Sequence, residues 1–223
     1  MLRDTLLFDL DGTIVDTDGL HFEAFRQVLA ERDRAIDHAT YKAQVMGRPN
    51  AAIAAWLFPC ENEAAQRAFS DAKEARFRSL AREMAPLPGL VAVLDWAQRI
   101  GARRAVVTNA PRRNAEFVLG TLGLAHRFET LVIGEECARS KPDPLPYVTA
   151  LARLGRPPEK AIAFEDSSSG IAAARAAGLF TFGMTTGLDA QTLHAAGADA
   201  AIADFEDPLL REKLAGQFGS APP

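Results

Sequence analysis

Cysteine is scarce in this sequence, and long apolar runs are missing. The 223 residues include 2 cysteines, Cys60 and Cys137, which do not form a CxxC pair. Two distant thiols exclude a disulfide framework and a cysteine-based zinc site, and they suit a reducing compartment. No apolar stretch reaches the roughly 18 residues that a membrane span needs. We also expect no secretory signal, so the sequence favours a cytoplasmic protein without a membrane partner.

An excess of basic residues is missing as well. The chain has 25 Lys and Arg against 29 Asp and Glu, which gives a formal net charge of -4. Proteins that bind nucleic acid normally present a basic face, so we expect no nucleic-acid partner. Hydrophobic residues make up 48% of the chain and charged residues 24%, which is typical of a globular protein with a sizeable core.

Short apolar runs that alternate with helical segments predict an α/β fold. The runs occupy residues 5–10, 104–108, 130–133, 161–165, 179–184 and 200–203. Strands of this continuously apolar kind are typical of parallel sheets that are covered on both faces. Helical periodicity follows at residues 89–100, 111–123, 143–154, 168–177 and 189–196. This alternation predicts a doubly wound, Rossmann-like parallel sheet.

One long interval breaks the alternation. From residue 17 to residue 85 the apolar spacing is helical, over 20–32, 38–46, 50–57 and 61–83, and no strand pattern occurs. A block of helices between the first strand and the rest of the sheet predicts an inserted domain. We therefore expect an all-helical domain at 17–85 and an α/β domain formed by 1–16 and 86–223.

Polar residues follow several of the predicted strands, at the points where they end. The stretch LLFDLDGTIVDTDG, residues 6–19, crowds four aspartates into ten positions: Asp9, Asp11, Asp16 and Asp18. Other predicted strands end in Thr108-Asn109 and Glu165-Asp166, and Lys141 precedes a helix in SKPDP. Open α/β sheets bind ligands beyond the carboxyl ends of their strands. These side chains are therefore candidates for one common site.

Converging carboxylates indicate a cation. Several carboxylates at one point are costly to ionise without a counter-charge, and a hard cation with oxygen ligands supplies one. Mg²⁺ fits best, because it is bound by a few carboxylates together with water and phosphate oxygens. His and Cys do not occur in these segments, which disfavours zinc. With Thr108 and Lys141 nearby, the pattern favours phosphoryl transfer.

These motifs resemble those of the haloacid dehalogenase superfamily. The DLDGT stretch at 9–13, Thr108-Asn109, Lys141-Pro142 and Glu165-Asp166 match its four motifs in order and spacing. The helical insertion resembles the C1-type cap of the subgroup that includes β-phosphoglucomutases and phosphoglycolate phosphatases. The resemblance implies that Asp9 is the nucleophile and forms an aspartyl-phosphate. It also implies that Asp11 transfers protons.

The resemblance implies roles for the other motif residues too. Thr108 and Lys141 would contact the phosphoryl group and complete the catalytic set. The metal ligands would be Asp9, Asp11 through its backbone carbonyl, Glu165 and Asp166. Substrate contacts would come from Asn109 and, in the insertion, from His21, Gly47 and Arg48. For His21 and Arg48, an ordinary helix residue and a surface arginine are equally open interpretations.

The sequence favours a Mg²⁺-dependent phosphatase for a small phosphomonoester, such as a sugar phosphate or phosphoglycolate. A β-phosphoglucomutase-like phosphomutase is the alternative, although Gly47-Arg48-Pro49 and Thr108-Asn109-Ala110 depart from the usual mutase pattern. Ala110 also replaces a lysine of the phosphoglycolate phosphatase motif. A phosphonatase would need a lysine near Gln44, and an inactive binding module would lack some of the acids. The expected partner is a small phosphorylated metabolite, and the expected state is a monomer or weak dimer.

Overall fold

A parallel sheet organises the chain. The structure, a computed structural model, describes residues 2–223. Within that range it has six strands: β1 (Thr5–Phe8), β2 (Arg103–Thr108), β3 (Thr130–Ile133), β4 (Ala161–Glu165), β5 (Phe180–Met184) and β6 (Ala200–Ile202). They form one sheet in the order β3-β2-β1-β4-β5-β6, and every neighbouring pair is parallel. The predicted α/β fold is confirmed.

Four of the five α-helices between β1 and β2 form one block. They are α1 (Asp18–Ala30), α2 (His38–Gln44), α3 (Asn50–Leu57) and α4 (Glu63–Leu80). We call residues 18–80 the helical insert. It has its own hydrophobic cluster, in which Phe25, Tyr41, Ile53 and Phe69 are buried. The division of the chain into domains at 16/17 and 85/86 stays a prediction.

The remaining helices cover the two faces of the sheet. They are α5 (Leu90–Arg99), α6 (Arg112–Thr121), α7 (Leu145–Leu154), α8 (Ser168–Ala176), α9 (Ala190–Ala196) and α10 (Pro208–Phe218). Successive side chains of a strand point to opposite faces, so Leu6 and Phe8 belong to one buried cluster and Leu7 to another. Among residues 2–223, every helix is too short or too polar to cross a lipid bilayer.

Two details differ from the sequence prediction. The first strand was predicted over 5–10, but β1 ends at Phe8. The chain turns soon after it, because Gly12 has a positive φ of 72° that glycine adopts without strain. Helix α10 was not predicted, although Asp207 and Pro208 form a typical helix start. Asp207 accepts a hydrogen bond from the Leu209 amide at 2.9 Å, as an N-cap does.

Candidate active site

The candidate site lies at the carboxyl edge of the sheet, where β1 has β2 and β4 as neighbours. Phe8 of β1 aligns with Val106 of β2 and with Phe164 of β4. The residues that follow these positions therefore lie at the same edge. Asp9, Thr108 and Glu165 come from three adjacent strands, and this explains why residues so distant in sequence meet.

Three acidic side chains converge at this edge. One oxygen from each of Asp9, Glu165 and Asp166 lies within 4.8 Å of the others. Asp9 is 8% exposed and Glu165 is 0% exposed. Burial of three carboxylates without compensation would be costly, so their surroundings decide whether they can ionise.

Lys141 is the buried cation of the cluster. Its ammonium donates to Asp9 Oδ1 at 2.7 Å, to Glu165 Oε1 at 2.5 Å and to the Val107 carbonyl at 2.6 Å. An ammonium has three protons, and these three acceptors engage all of them. The Tyr147 hydroxyl also donates to Glu165 Oε1, at 2.5 Å. Sequence reasoning missed Tyr147, which looks like an ordinary core aromatic in α7.

These side chains fit a hard cation. Three carboxylates face one ammonium, so the cluster keeps an excess of negative charge. Within the described residues, Glu165 Oε2 is buried without a hydrogen-bond donor. A buried polar atom normally has a partner, and a cation can serve as one. Glycines leave room for the acids: a Cβ on Gly12 would lie 2.2 Å from Asp166 Oδ2. All available donor atoms are oxygens, which suits a magnesium-like ion.

The buried charges shift one another's pKa values. Burial raises the pKa of Asp9 to about 8; Lys141 opposes this rise and Glu165 adds to it. Burial, with the nearby charges of Asp9 and Glu165, also raises the pKa of Asp166 well above its ordinary value. Burial alone would lower the pKa of Lys141, but Asp9 and Glu165 outweigh it and the pKa is raised. The lysine therefore stays charged, while the acids need a further cation.

Asp11 has different partners from the three acids. Its Oδ1 accepts a hydrogen bond from the Thr17 hydroxyl at 2.6 Å and lies 3.4 Å from His21 Nε2. Burial would raise the pKa of Asp11, but His21, the Thr17 hydrogen bond and the charge of Lys73 together outweigh burial and lower it. His21 therefore lies in the candidate site. The sequence had left open whether it contacts substrate or is an ordinary helix residue.

A buried ion pair of α4 extends this chain of contacts. Lys73 Nζ lies 3.2 Å from His21 Nδ1 and 2.6 Å from Glu74 Oε1. Lys73 is 4% exposed and Glu74 is 5% exposed. Sequence reasoning missed both, because charged residues of a helix normally face solvent.

Thr108, the last residue of β2, and Asn109 form hydrogen bonds with nearby backbone groups. The Thr108 hydroxyl oxygen accepts a hydrogen bond from the Ala110 amide at 2.9 Å, which leaves the hydroxyl proton available to a ligand. The Asn109 side chain pairs with the backbone of Lys141: its amide donates to the carbonyl and its oxygen accepts from the N–H, both at 3.2 Å. Asn109 therefore holds the loop that carries Lys141.

The helical insert contacts the α/β part through the loop after α2. The Ser169 hydroxyl donates to the Gly47 carbonyl at 2.8 Å. Gly47 has a φ of 69°, and a Cβ there would lie 2.9 Å from Ser167 Cβ. The next residue, Arg48, is exposed and donates to the Gln44 carbonyl at 3.0 Å. Gly47 thus lies at the contact between the two parts, and the charge of Arg48 is available to a ligand because it pairs with no acid among the described residues.

A cavity of about 120 Å³ separates the helical insert from the sheet edge. Its lining includes every residue that the sequence predicted for the site except Glu165, which lies behind Lys141. From the insert, Tyr41, Asn50 and Lys73 also line it. Its lining combines carboxylates with hydroxyl, amide and cationic side chains, which suits a small polar molecule with an anionic group.

Comparison with known proteins agrees with this geometry. The family described as haloacid dehalogenase-like hydrolase matches residues 6–184. The chain is 31% identical over 206 residues to the phosphorylated carbohydrates phosphatase of Thermotoga maritima, across 89% of this chain and 94% of that protein. It is 32% identical over 211 residues to the validoxylamine A 7'-phosphate phosphatase of Streptomyces hygroscopicus, across 90% and 93%.

A solved structure shows the same likeness. The crystal structure of a CbbY mutant from Rhodobacter sphaeroides in complex with xylulose-1,5-bisphosphate has a TM-score of 0.81 and 30% identity to this chain. The match covers 93% of this chain and 96% of that one. The family match spans most of the chain and includes the three acids, Lys141 and the strands β1, β2 and β4 that position them, apart from the first residue of β1. The chain therefore belongs to the haloacid dehalogenase-like hydrolases and is an enzyme of the phosphoric monoester hydrolase type.

Proposed function

We propose that the enzyme is a Mg²⁺-dependent phosphatase that hydrolyses a small sugar phosphate or a similar phosphomonoester through an aspartyl-phosphate. The observation that carries this proposal is the position of Asp9. Its carboxylate lies beside two further acids and is bonded to the buried Lys141, at the end of a cavity. The names of the relatives support a sugar-like organic part.

The first chemical step forms a bond to Asp9. A carboxylate oxygen of Asp9 attacks phosphorus, the bond from phosphorus to the ester oxygen breaks, and Asp11 gives its proton to that leaving oxygen. The lowered pKa of Asp11 describes the site without substrate. A dianionic phosphoryl group would bring like charge next to Asp11, and like charge raises a carboxyl pKa. This favours the protonated form when the proton is needed.

The second step releases phosphate. Asp11, now ionised, takes a proton from a water molecule whose oxygen attacks phosphorus, and the bond to Asp9 breaks. The products are inorganic phosphate and the free carboxylate. Lys141 stays charged throughout and stabilises the negative charge around Asp9. The Thr108 hydroxyl, with its proton free, donates to a phosphoryl oxygen.

The metal would be held by Asp9 and Asp166, with Glu165 nearby and the backbone carbonyl of Asp11 as a further ligand. A divalent cation there would polarise the phosphoryl group and would offset charge that Lys141 alone does not balance. Substrate contacts would come from His21, Gly47 and Arg48 of the helical insert and from Asn109 at the sheet edge. The cytoplasmic location and the state as a monomer or weak dimer stay predictions.

A metabolite panel tests the proposed activity. We expect Mg²⁺-dependent release of inorganic phosphate from sugar monophosphates, and slower release from phosphoglycolate because Ala110 offers no cation for its carboxylate. With β-glucose-1-phosphate, free glucose should appear. Formation of glucose-6-phosphate would instead show the phosphomutase, and lack of phosphate release from every compound would contradict the proposal.

The acidic cluster predicts how stability depends on pH without metal. The folded-state pKa of Asp9 is about 8, and the unfolded value is about 4. Between these values the folded protein binds more protons than the unfolded chain, so stability falls as the pH rises. We expect the melting temperature in chelator to fall by at least about 5 °C from about pH 5 to about pH 8.

Magnesium should reverse this trend, because metal binding requires ionised ligands. Millimolar Mg²⁺ should raise the melting temperature more at about pH 8 than at about pH 5. Differential scanning calorimetry measures both effects, with KCl of equal ionic strength as the control. Asp166→Asn should abolish the magnesium effect. A magnesium effect that is equal at both pH values would contradict the predicted ligand set.

A further inference from the structure

A buried amide joins the helical insert to the α/β part in a second contact, separate from the one at Gly47. Asn114 lies in the first turn of α6 and is 1% exposed. Its Nδ2 donates to Glu74 Oε2 at 2.5 Å, and its Oδ1 accepts a hydrogen bond from Arg78. Glu74 and Arg78 are four residues apart in α4, so they lie on the same face of that helix.

The chemistry of these three groups is complementary. An ionised carboxylate only accepts hydrogen bonds and a guanidinium only donates them, whereas an amide does both. Burial would raise the pKa of Glu74, but the charges of Lys73 and His21 and two hydrogen bonds outweigh it and lower the pKa. Glu74 is therefore the acceptor, and the Asn114 amide fits between an acceptor and a donor.

Glu74 also connects this contact to the active site. Its other oxygen, Oε1, accepts from Lys73 at 2.6 Å and from Asn50 at 2.7 Å. Lys73 lies 3.2 Å from His21, which lies 3.4 Å from Asp11. Asn114 is not among the described residues that line the cavity. It can therefore act on the reaction only through Glu74 and the residues beyond it.

We propose that Asn114 is a positioning residue that holds Glu74 and Arg78 against the α/β part, so that Lys73 and His21 stay opposite Asp11. The inference rests on the proposed function, in which Asp11 transfers the protons. The contact at Gly47 uses a partly exposed serine and a backbone carbonyl, whereas the Asn114 contact is buried and involves charge. The Asn114 contact therefore determines how the helical insert is positioned against the α/β part.

A reciprocal exchange of amide and carboxylate tests this inference. Asn114→Asp places two carboxylates against each other, and Glu74→Gln places two amide donors against each other. The double variant, Asn114→Asp with Glu74→Gln, again matches donors with acceptors. The amide of the introduced glutamine and Arg78 both donate to the introduced aspartate. The oxygen of that glutamine still accepts from Lys73 and Asn50. Contacting residues of this kind show strong coupling in double-mutant cycles.

We expect kcat/KM for a hydrolysed sugar phosphate to fall by at least about 30-fold in Asn114→Asp and to recover to within about 5-fold of wild type in the double variant. The rate of amide hydrogen exchange in α4 should rise in Asn114→Asp and return towards the wild-type rate in the double variant. If Asn114→Asp does not fold, Asn114→Ala, which removes both bonds without adding charge, replaces it. A double variant that is slower than the single variants, or Asn114 variants within about 3-fold of wild type, would overturn the inference.

The two readouts separate this inference from the proposed function. Wild-type enzyme that hydrolyses no phosphomonoester would contradict the proposed function, and the exchange of α4 would still report on the contact. Exchange that rises in Asn114→Asp and returns to normal in the double variant would support the contact in that case. Unchanged exchange in all variants would overturn it, whatever the activity of the wild type.

Discussion

Asp9→Asn is expected to lower kcat by at least about 10⁴-fold with every phosphomonoester that the wild-type enzyme hydrolyses. The amide oxygen of Asn is a poor nucleophile, so the covalent route through an aspartyl-phosphate is lost. Lys141, Thr108 and the other acids remain in place, so binding of the substrate should persist. The loss should therefore appear mainly in kcat, and phosphate release under saturating substrate measures it.

The same variant should not be less stable than the wild type. Burial disfavours the ionised form of Asp9 and raises its pKa to about 8, so a neutral amide removes an unfavourable charge. In chelator at about pH 8, the melting temperature of Asp9→Asn should equal or exceed that of the wild type. Lost activity with retained stability separates a chemical role from a structural one.

Asp4→Asn is the matched control for this substitution. Asp4 precedes the amino end of β1, whereas Asp9 follows its carboxyl end, and Asp4 accepts a hydrogen bond from Arg156 at 3.1 Å. We expect its kcat to match the wild type. Acid-quenched wild-type enzyme should carry one phosphoryl group, by mass spectrometry of its peptides, and Asp9→Asn none. A phosphoryl group on another residue would contradict the assignment of the nucleophile.

The sequence indicated which acids lie together at the sheet edge, because a parallel strand gives a strong local signal. A continuously apolar run that ends in Asp9 or Glu165 indicates both the strand and the edge to which its side chains go. The order of the strands has no such signal. It depends on which helices pack on which face, and it places β1 between β2 and β4. The convergence of Asp9, Thr108 and Glu165 follows from that order.

The missed residues are charged or polar side chains that are buried only because they pair. Lys73, Glu74 and Asn114 lie in helices whose composition suggests an exposed face, and their burial depends on contacts of α4 with α1 and α6. Such contacts join residues distant in sequence, so helical periodicity does not indicate them. Helix α10 is different, because Asp207-Pro208 was a local signal for its start.

Lys141→Met should reduce both activity and stability. The lysine is 2% exposed and pairs with Asp9 and Glu165 at 2.7 and 2.5 Å. Methionine has a similar length but no charge, so the variant leaves buried carboxylates without their cation. Removal of one partner from a buried ion pair costs about 3–5 kcal/mol. We expect this loss in urea denaturation at about pH 8 in chelator, and a fall in kcat/KM of at least about 10³-fold.

A second substitution shows whether the lost stability has this electrostatic cause. In Lys141→Met with Glu165→Gln, one of the two unpaired charges is removed, and the Tyr147 hydroxyl still has the oxygen of the introduced glutamine as an acceptor. This double variant should regain at least about 1 kcal/mol of stability but no activity, because the cation beside Asp9 is still missing. Lys160→Met, at the opposite end of β4, is the control. Its ammonium bonds only the Leu2 carbonyl among the described residues, so its activity should be normal. If the double variant were no more stable than Lys141→Met, then packing, and not charge, would be the reason that the lysine is buried there.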